Sequence, residues 1–258
     1  MTTWTHSPNE ESSTWRYHTS QICRDVSGNV YSTIKIGNQE WMAENLKTTK
    51  YNDGTAIAFV DDEDADVDVW ENLTTGAYSR GGPDGTDADD DYEDTYGYLY
   101  NWYAVDTGKL APEGWHVPTD TELTTLTDYL GSDAGSKLAG RADLWEDGDL
   151  ENNAEFGTSG FNHLPGGYRY HWNGNYRRMV LSGYFWSSTE YDDTDAWYRD
   201  QPYYNSGINR YSRHKRSGYS VRCVRGTTTW NTLWGGLWNL GSLIAWEDLD
   251  KHNWEDWN

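Results

Sequence analysis

Sixteen Trp and twenty Tyr, against only four Phe, restrict how this chain can build an interior. Trp and Tyr are large, flat side chains with one polar atom each, so burying them means finding a partner for that atom. Aliphatic residues are sparse, mean hydropathy is -0.93 and there are 26 Gly. That balance does not suit a helical bundle. It suits a loop-rich β or α+β protein whose core rests on Trp and Tyr. Aromatic content of 16% also excludes a disordered chain. A length of 258 residues fits one large domain, or one domain with extensions.

The Trp residues are unevenly placed. Six lie between Trp230 and Trp257, and Trp230, Trp234 and Trp238 repeat every four residues, followed by Trp246 and Trp254 at a spacing of eight. Related phrases recur: Trp230-Asn231-Thr232-Leu233, Trp238-Asn239-Leu240, Trp246-Glu247-Asp248-Leu249 and Trp254-Glu255-Asp256-Trp257. A helical wheel puts the first three on one face, but Gly235, Gly236 and Gly241 oppose one long helix. A string of short Trp-anchored turns fits equally well. So many Trp need a surface to pack against, either the chain's own domain or another subunit. Trp4 and Trp15 repeat the feature weakly in a polar leader. The sequence thus divides into a leader (1–22), a domain (23–225) and a Trp-rich tail (226–258). Trp4, Trp15, Trp230, Trp234, Trp238, Trp246, Trp254 and Trp257 are the expected assembly anchors, in a homo-oligomer or against other proteins of a particle.

Net charge is -22, which disfavours nucleic acid and anionic membranes as partners. Residues 61–94 hold fourteen carboxylates and one base, Arg80, and read as a long acidic loop. Within it Asp84, Asp87, Asp89, Asp90 and Asp91, followed by Asp94, make an oxygen-rich cluster beside Gly82 and Gly85. Asp61, Asp62, Asp64, Asp66 and Asp68 make another. Calcium takes six to eight such oxygens, so calcium is the one cofactor to consider, against a plainly solvated acidic loop. No run is apolar enough for membrane insertion. The first residues have neither a basic start nor an apolar core, so no export signal is expected there.

Local patterns give a coarse secondary structure. Val30, Ile34 and Ile36 alternate with polar residues between two turn signals, and predict a strand. Residues 98–105 predict a short helix with Leu99, Trp102 and Tyr103 on one side. Thr119 followed three residues later by Glu122 is a capping box, and Leu123, Leu126 and Leu130 at helical spacing predict a helix over 120–130, ended by Gly131. Further strands are expected near 166–171, 183–188, 195–200 and 217–225. In the last, Tyr219, Val221 and Cys223 alternate with Ser220, Arg222 and Val224.

Seven phrases, in order, resemble the Fibrobacter succinogenes major paralogous domain. They are Gly28-Asn29-Val30-Tyr31, residues 36–46 (IGNQEWMAENL), Tyr98-Leu99-Tyr100-Asn101-Trp102, residues 114–120 (GWHVPTD), Leu164-Pro165-Gly166-Gly167-Tyr168-Arg169, Phe185-Trp186-Ser187-Ser188-Thr189-Glu190 and Ser220-Val221-Arg222-Cys223-Val224-Arg225. The resemblance spans about residues 24–225 and leaves out leader and tail. It implies an α+β, C-type-lectin-like fold, akin to formylglycine-generating enzymes and retroelement-diversified variable proteins. Small twisted antiparallel sheets, two flanking helices and long loops are then expected, with first and last strands paired. The family mostly lacks an assigned activity, so the resemblance bears on fold more than function. It has a Cys where this chain has Ala111, which would bridge to the last strand. Cys223 thus lacks that partner, and the resemblance implies that Cys23 lies close enough to pair with it; two separate buried thiols are the alternative.

Chemistry-bearing motifs are few. No HxH or HxxxH spacing, nucleophile elbow or phosphate-binding loop occurs, and neither Cys sits where a formylglycine-generating site would need it. His116, within a family phrase, reads as a packed, hydrogen-bonded residue. Residues 191–216 are rich in Tyr, Asn, Ser and Arg, as binding surfaces are. By the resemblance they lie on the usual binding face of a lectin-like fold. Tyr198, Tyr203, Tyr204, Asn205, Asn209, Arg210, Tyr211, Arg213 and His214 are the candidate ligand surface; a structural loop is the alternative. The basic run Arg210, Arg213, Lys215 and Arg216 could equally dock on the protein's own acids. The expectation is a non-enzymatic virion component, for structure or for recognition of a host-surface glycan or protein. The alternative is a bacterial cell-surface or extracellular adhesion protein.

Overall fold

The structure, a computed structural model, describes residues 23–60, 67–84, 88–89 and 91–226. The Trp anchors of leader and tail, Asp87 and Asp90 lie outside the described residues. The domain is α+β, made of small open sheets and few helices.

In chain order, β1 (Cys23–Arg24) pairs with β2 (Val30–Tyr31), and β3 (Thr33–Ile36) with β4 (Gln39–Met42). The acidic region is more structured than a loop. After β5 (Ala58–Phe59) it carries α1 (Val67–Glu71), β6 (Ala77–Ser79) and α2 (Tyr92–Tyr96). The expected helix at 98–105 begins late, because β7 (Leu99–Tyr100) pairs with β6 before α3 (Trp102–Asp106) starts. Asn101 explains the switch: its side chain accepts from Ala104 N as the N-cap and from Ala77 N of the neighbouring strand.

α4 (Asp120–Leu130) occupies the expected span, with both capping-box bonds formed and Leu123 and Leu126 buried. The short α5 (Ala134–Leu138) follows. Then come the hairpin β8 (Tyr168–Arg169) and β9 (Tyr176–Arg177), and the antiparallel sheet of β10 (Ser182–Glu190), β11 (Asp195–Pro202) and β12 (Asn209–His214). The last strand, β13 (Val224–Gly226), pairs with β4 rather than with the first strand.

The segment before β13 is not the strand that its alternation predicts. Its backbone changes partner at almost every residue. Gly218 bridges Arg169, Tyr219 bridges Tyr100, Ser220 bridges Phe185 and Val224 bridges His116, while the Val221 and Cys223 carbonyls accept from Leu46 and Met42. The alternation instead sorts side chains between two cores. Tyr219, Val221 and Cys223 enter the largest cluster, with Tyr100, Trp102 and Trp186. Val224 enters a second one under α4, with Trp41, Leu123 and Phe185.

Many of the aromatic polar atoms are matched, while the buried indole N–H groups of Trp41 and Trp70 have no hydrogen-bond partner among the described residues. Trp186 donates to Tyr100 O at 2.8 Å, Trp102 to Ser187 O at 2.9 Å and Tyr100 to Thr48 O at 2.7 Å. Burying each such ring contributes about 2–3 kcal/mol. Cys23 and Cys223 share the largest cluster as two free, buried thiols, so the expected bridge is not formed. Burial pushes the Cys23 thiol up to about 12 and raises Cys223 as well.

Candidate functional site

The nine residues expected to form one binding surface do not. Tyr198 is only 9% exposed and belongs to the core. Tyr203 packs on a small cluster around Trp145 and Leu150, beside exposed Tyr204. The exposed Asn205 uses its side chain to accept from Gly207 N. Asn209 donates to Asp200. Arg210 is spent internally: it grips the Asp120 carboxylate with Nε and Nη2 at 2.8–3.0 Å and lies over the Trp197 ring. Of the nine, only His214, at the C-terminal end of β12, lines a concave surface. Tyr211 is half exposed, Arg213 lies over Tyr170 and His214 stacks on His171.

That concave surface is a pocket of about 250 Å³ lined by Glu71, Asn72, His171, Trp172, His214 and Arg216. Three segments build it. The β8–β9 hairpin supplies His171 and Trp172 at its tip, α1 and its exit supply Glu71 and Asn72, and the end of β12 supplies His214 and Arg216. Tyr170 N donates to Asn175 O and Gly174 N to Tyr170 O, closing the tip, where Gly174 takes a φ of 66°. Arg169 braces it from below. This arginine is fully buried, donates to Gly174 O and to Val60 O, and lies over Trp70 at 4.3 Å. The brace leaves Trp172 71% exposed. A Trp held out at a closed hairpin tip adds nothing to the core and offers a flat apolar face to a ligand.

The two imidazoles lie parallel, at 4.7 Å between centroids and 5° between planes. Burial foremost, then the charges of Arg213 and Arg216 among others, keep both below the usual His range, with His171 at about 4. They are therefore neutral at pH 7, which allows the stack. Arg216 N donates to His214 Nδ1 at 3.2 Å, and Ser217 Oγ is 3.5 Å from His171 Nδ1. The pocket thus combines an apolar plane, two neutral rings, an amide, a carboxylate and a guanidinium.

A second feature lies at the other end of the same hairpin. The turn after β9 has two non-glycine residues in the left-handed region, Arg178 (φ 61°) and Val180 (φ 62°). Val180 N donates to Pro165 O and Ser182 N to Arg178 O, fixing this strained turn with Arg177 and Arg178 exposed.

Sequence reasoning missed Trp172, His171, Glu71 and Asn72. One signal was present: Tyr170-His171-Trp172-Asn173-Gly174-Asn175 sets aromatic residues inside a turn-forming run, where they cannot all face a core. Of the acidic cluster, Asp84, Asp89 and Asp91 are exposed, and among the described residues no three carboxylate, imidazole or thiol groups gather as metal ligands. His116 is hydrogen-bonded as expected, to Glu122 at 2.7 Å, but it is exposed and not packed; that bond raises its proton affinity.

No curated protein and no solved structure matches the chain. The family model of the Fibrobacter succinogenes major domain does, over residues 34–225. No helix among the described residues is long and apolar enough to cross a membrane.

Proposed function

We propose that this chain, which belongs to the Fibrobacter succinogenes major domain family, is a non-enzymatic recognition module with a C-type-lectin-like architecture that binds surface glycans through the Trp172 pocket. The observation that carries the reading is Trp172 itself, 71% exposed and held over a pocket with amide, carboxylate, imidazole and guanidinium groups on its wall. Sugars are recognised by this pairing: a flat aromatic face for the C–H side of the ring, and planar polar groups for its hydroxyls. The buried thiols support a non-catalytic role, since burial holds both cysteines protonated and poor as nucleophiles. A display role on a virion or a bacterial surface follows from the Trp-rich ends, which would attach the domain while the pocket meets the ligand.

The test is binding of the full chain to an array of bacterial surface polysaccharides, beside Trp172→Ala. The variant is expected to lose at least tenfold in affinity with an unchanged melting temperature, because an exposed ring contributes little to the fold. Equal binding by both proteins, or no binding to any polysaccharide, overturns the proposal.

A further inference from the structure

We infer that the ligand is a polyanionic polysaccharide, held through carboxylate groups along a row of arginines that runs from the Trp172 pocket to the turn after β9. The inference rests on the glycan-binding reading above and adds the charge of the glycan.

Its basis is where the arginines' charges go. In a chain with 42 carboxylates and 20 Lys and Arg, a guanidinium should readily find an acid. Arg80, Arg141, Arg199, Arg210 and Arg225 do, each pairing with a carboxylate at 3.2 Å or less. Arg169 and Arg222 are buried on carbonyl oxygens, and Arg24 donates to Gly28 O. Arg177, Arg178, Arg213 and Arg216 have no carboxylate partner among the described residues.

These four are neighbours. Arg177, followed by Arg178, faces Tyr168 across the β8–β9 pair, the Tyr168 and Tyr170 rings are 6.4 Å apart, and Arg216 lines the pocket with His171 and His214. Arg213 lies over Tyr170, and the Arg216 guanidinium is 3.3 Å from the neutral His214 ring instead of an acid. The four thus follow the β8–β9 hairpin from the pocket to the turn after β9, and the row begins at the only exposed Trp among the described residues. Glu71 and Asp195 stand beside the pocket end, where they can accept sugar hydroxyls while the arginines take the acid groups.

Arginine suits this task. Its planar fork matches a carboxylate with two parallel hydrogen bonds, and it stays charged at any accessible pH. Leaving four of them together places like charges side by side without local acids to offset them, and creates a positive local field that attracts anionic ligands. A single acid group would need one or two arginines. A row that passes Tyr168 and Tyr170 fits a chain of sugars with repeated charge.

The experiment uses the full chain and three immobilised probes: polygalacturonate, its methyl ester and double-stranded DNA. Polygalacturonate is expected to bind and the ester to bind at least tenfold more weakly. Arg213→Gln with Arg216→Gln, and separately Arg177→Gln with Arg178→Gln, should each reduce polygalacturonate binding at least tenfold, flatten its salt dependence and keep the parent's melting temperature. Trp172→Ala should weaken binding to either polysaccharide. Equal binding to acid and ester, lost in Trp172→Ala but not in the arginine variants, overturns the anionic ligand and leaves the glycan-binding reading standing. DNA binding as strong as polygalacturonate binding overturns it too, as a charge effect without sugar recognition. Arginine variants that change oligomeric state but not polysaccharide binding also overturn it, by showing that the row meets another copy of the chain. Binding to neither polysaccharide overturns both readings.

Discussion

His163 shows how a single buried side chain limits the stability of this fold in acid. It is completely buried between Phe161 and Phe185, with neither ring nitrogen hydrogen-bonded. Burial above all, and then the charge of Arg222, lowers its proton affinity to about 3. In the unfolded chain it titrates near 6.5. The unfolded state therefore binds the extra proton first. Stability is complete above about pH 6.5 and falls as pH drops from there toward 3, by about 1.4 kcal/mol per unit within that window. Denaturant unfolding at pH 7 and pH 5 should show this loss, and His163→Leu should reduce the pH dependence even if it lowers stability at pH 7. A slope unchanged in the variant assigns the effect elsewhere. Nothing in the sequence marks His163 as buried, because a His beside Leu164-Pro165-Gly166-Gly167 reads as a loop residue. The environment that shifts it comes from Arg222 and Phe185, far along the chain.

At the level of elements, α4 was fully legible and its docking was not. The capping box and the leucine spacing are local signals, and local signals survive tertiary context when they agree with it. What fastens the helix is Asp120. It accepts from Arg199 of β11 at 2.8 Å and from Arg210 of β12, while its own N–H donates to Thr189 at the end of β10. Arg199 is only 2% exposed, so losing its partner leaves a buried charge unpaired. Asp120→Asn should destabilise by about 3 kcal/mol, and Arg199→Met in the same chain should recover part of that loss. Thermal unfolding of these two and of Arg199→Met alone checks it; if the double variant is the sum of the singles, the residues are not coupled. The strand expected at 217–225 failed for the opposite reason. Alternation reports two buried faces, but it cannot report that the partners are five different segments. The binding surface failed likewise: one stretch of sequence was expected to supply what three segments build, and β12 turns Arg210 toward Asp120 while it sends His214 to the pocket.

At the scale of the whole molecule, the described domain ends at Gly226 and the Trp-rich tail follows immediately. β13 is the edge strand of the sheet that it forms with β4 and β3, so the tail departs from that strand. The assembly proposal predicts that the full chain elutes as an oligomer in size-exclusion chromatography and that a chain ending at residue 226 elutes as a monomer with the same melting temperature. Two monomers would dismiss it. The family phrases made the α+β class readable, since they mark the residues that meet in the core: Asn45, Trp186 and Arg222 each lie in a different phrase, and Arg222 holds Asn45 across 177 positions of sequence.

That lacing also sets an order in time. Residues 217–226 join Arg169, Tyr100, Phe185, His116 and β4 together, and they are the last of the domain to be synthesised. A nascent chain lacking them has two unfinished cores and exposed rings throughout. Folding must therefore wait for the ribosome to pass residue 226, and contacts this distant in sequence form slowly once it does. In that interval the unfolded domain presents most of its Trp and Tyr to the cytosol, so this protein should depend heavily on chaperones during synthesis.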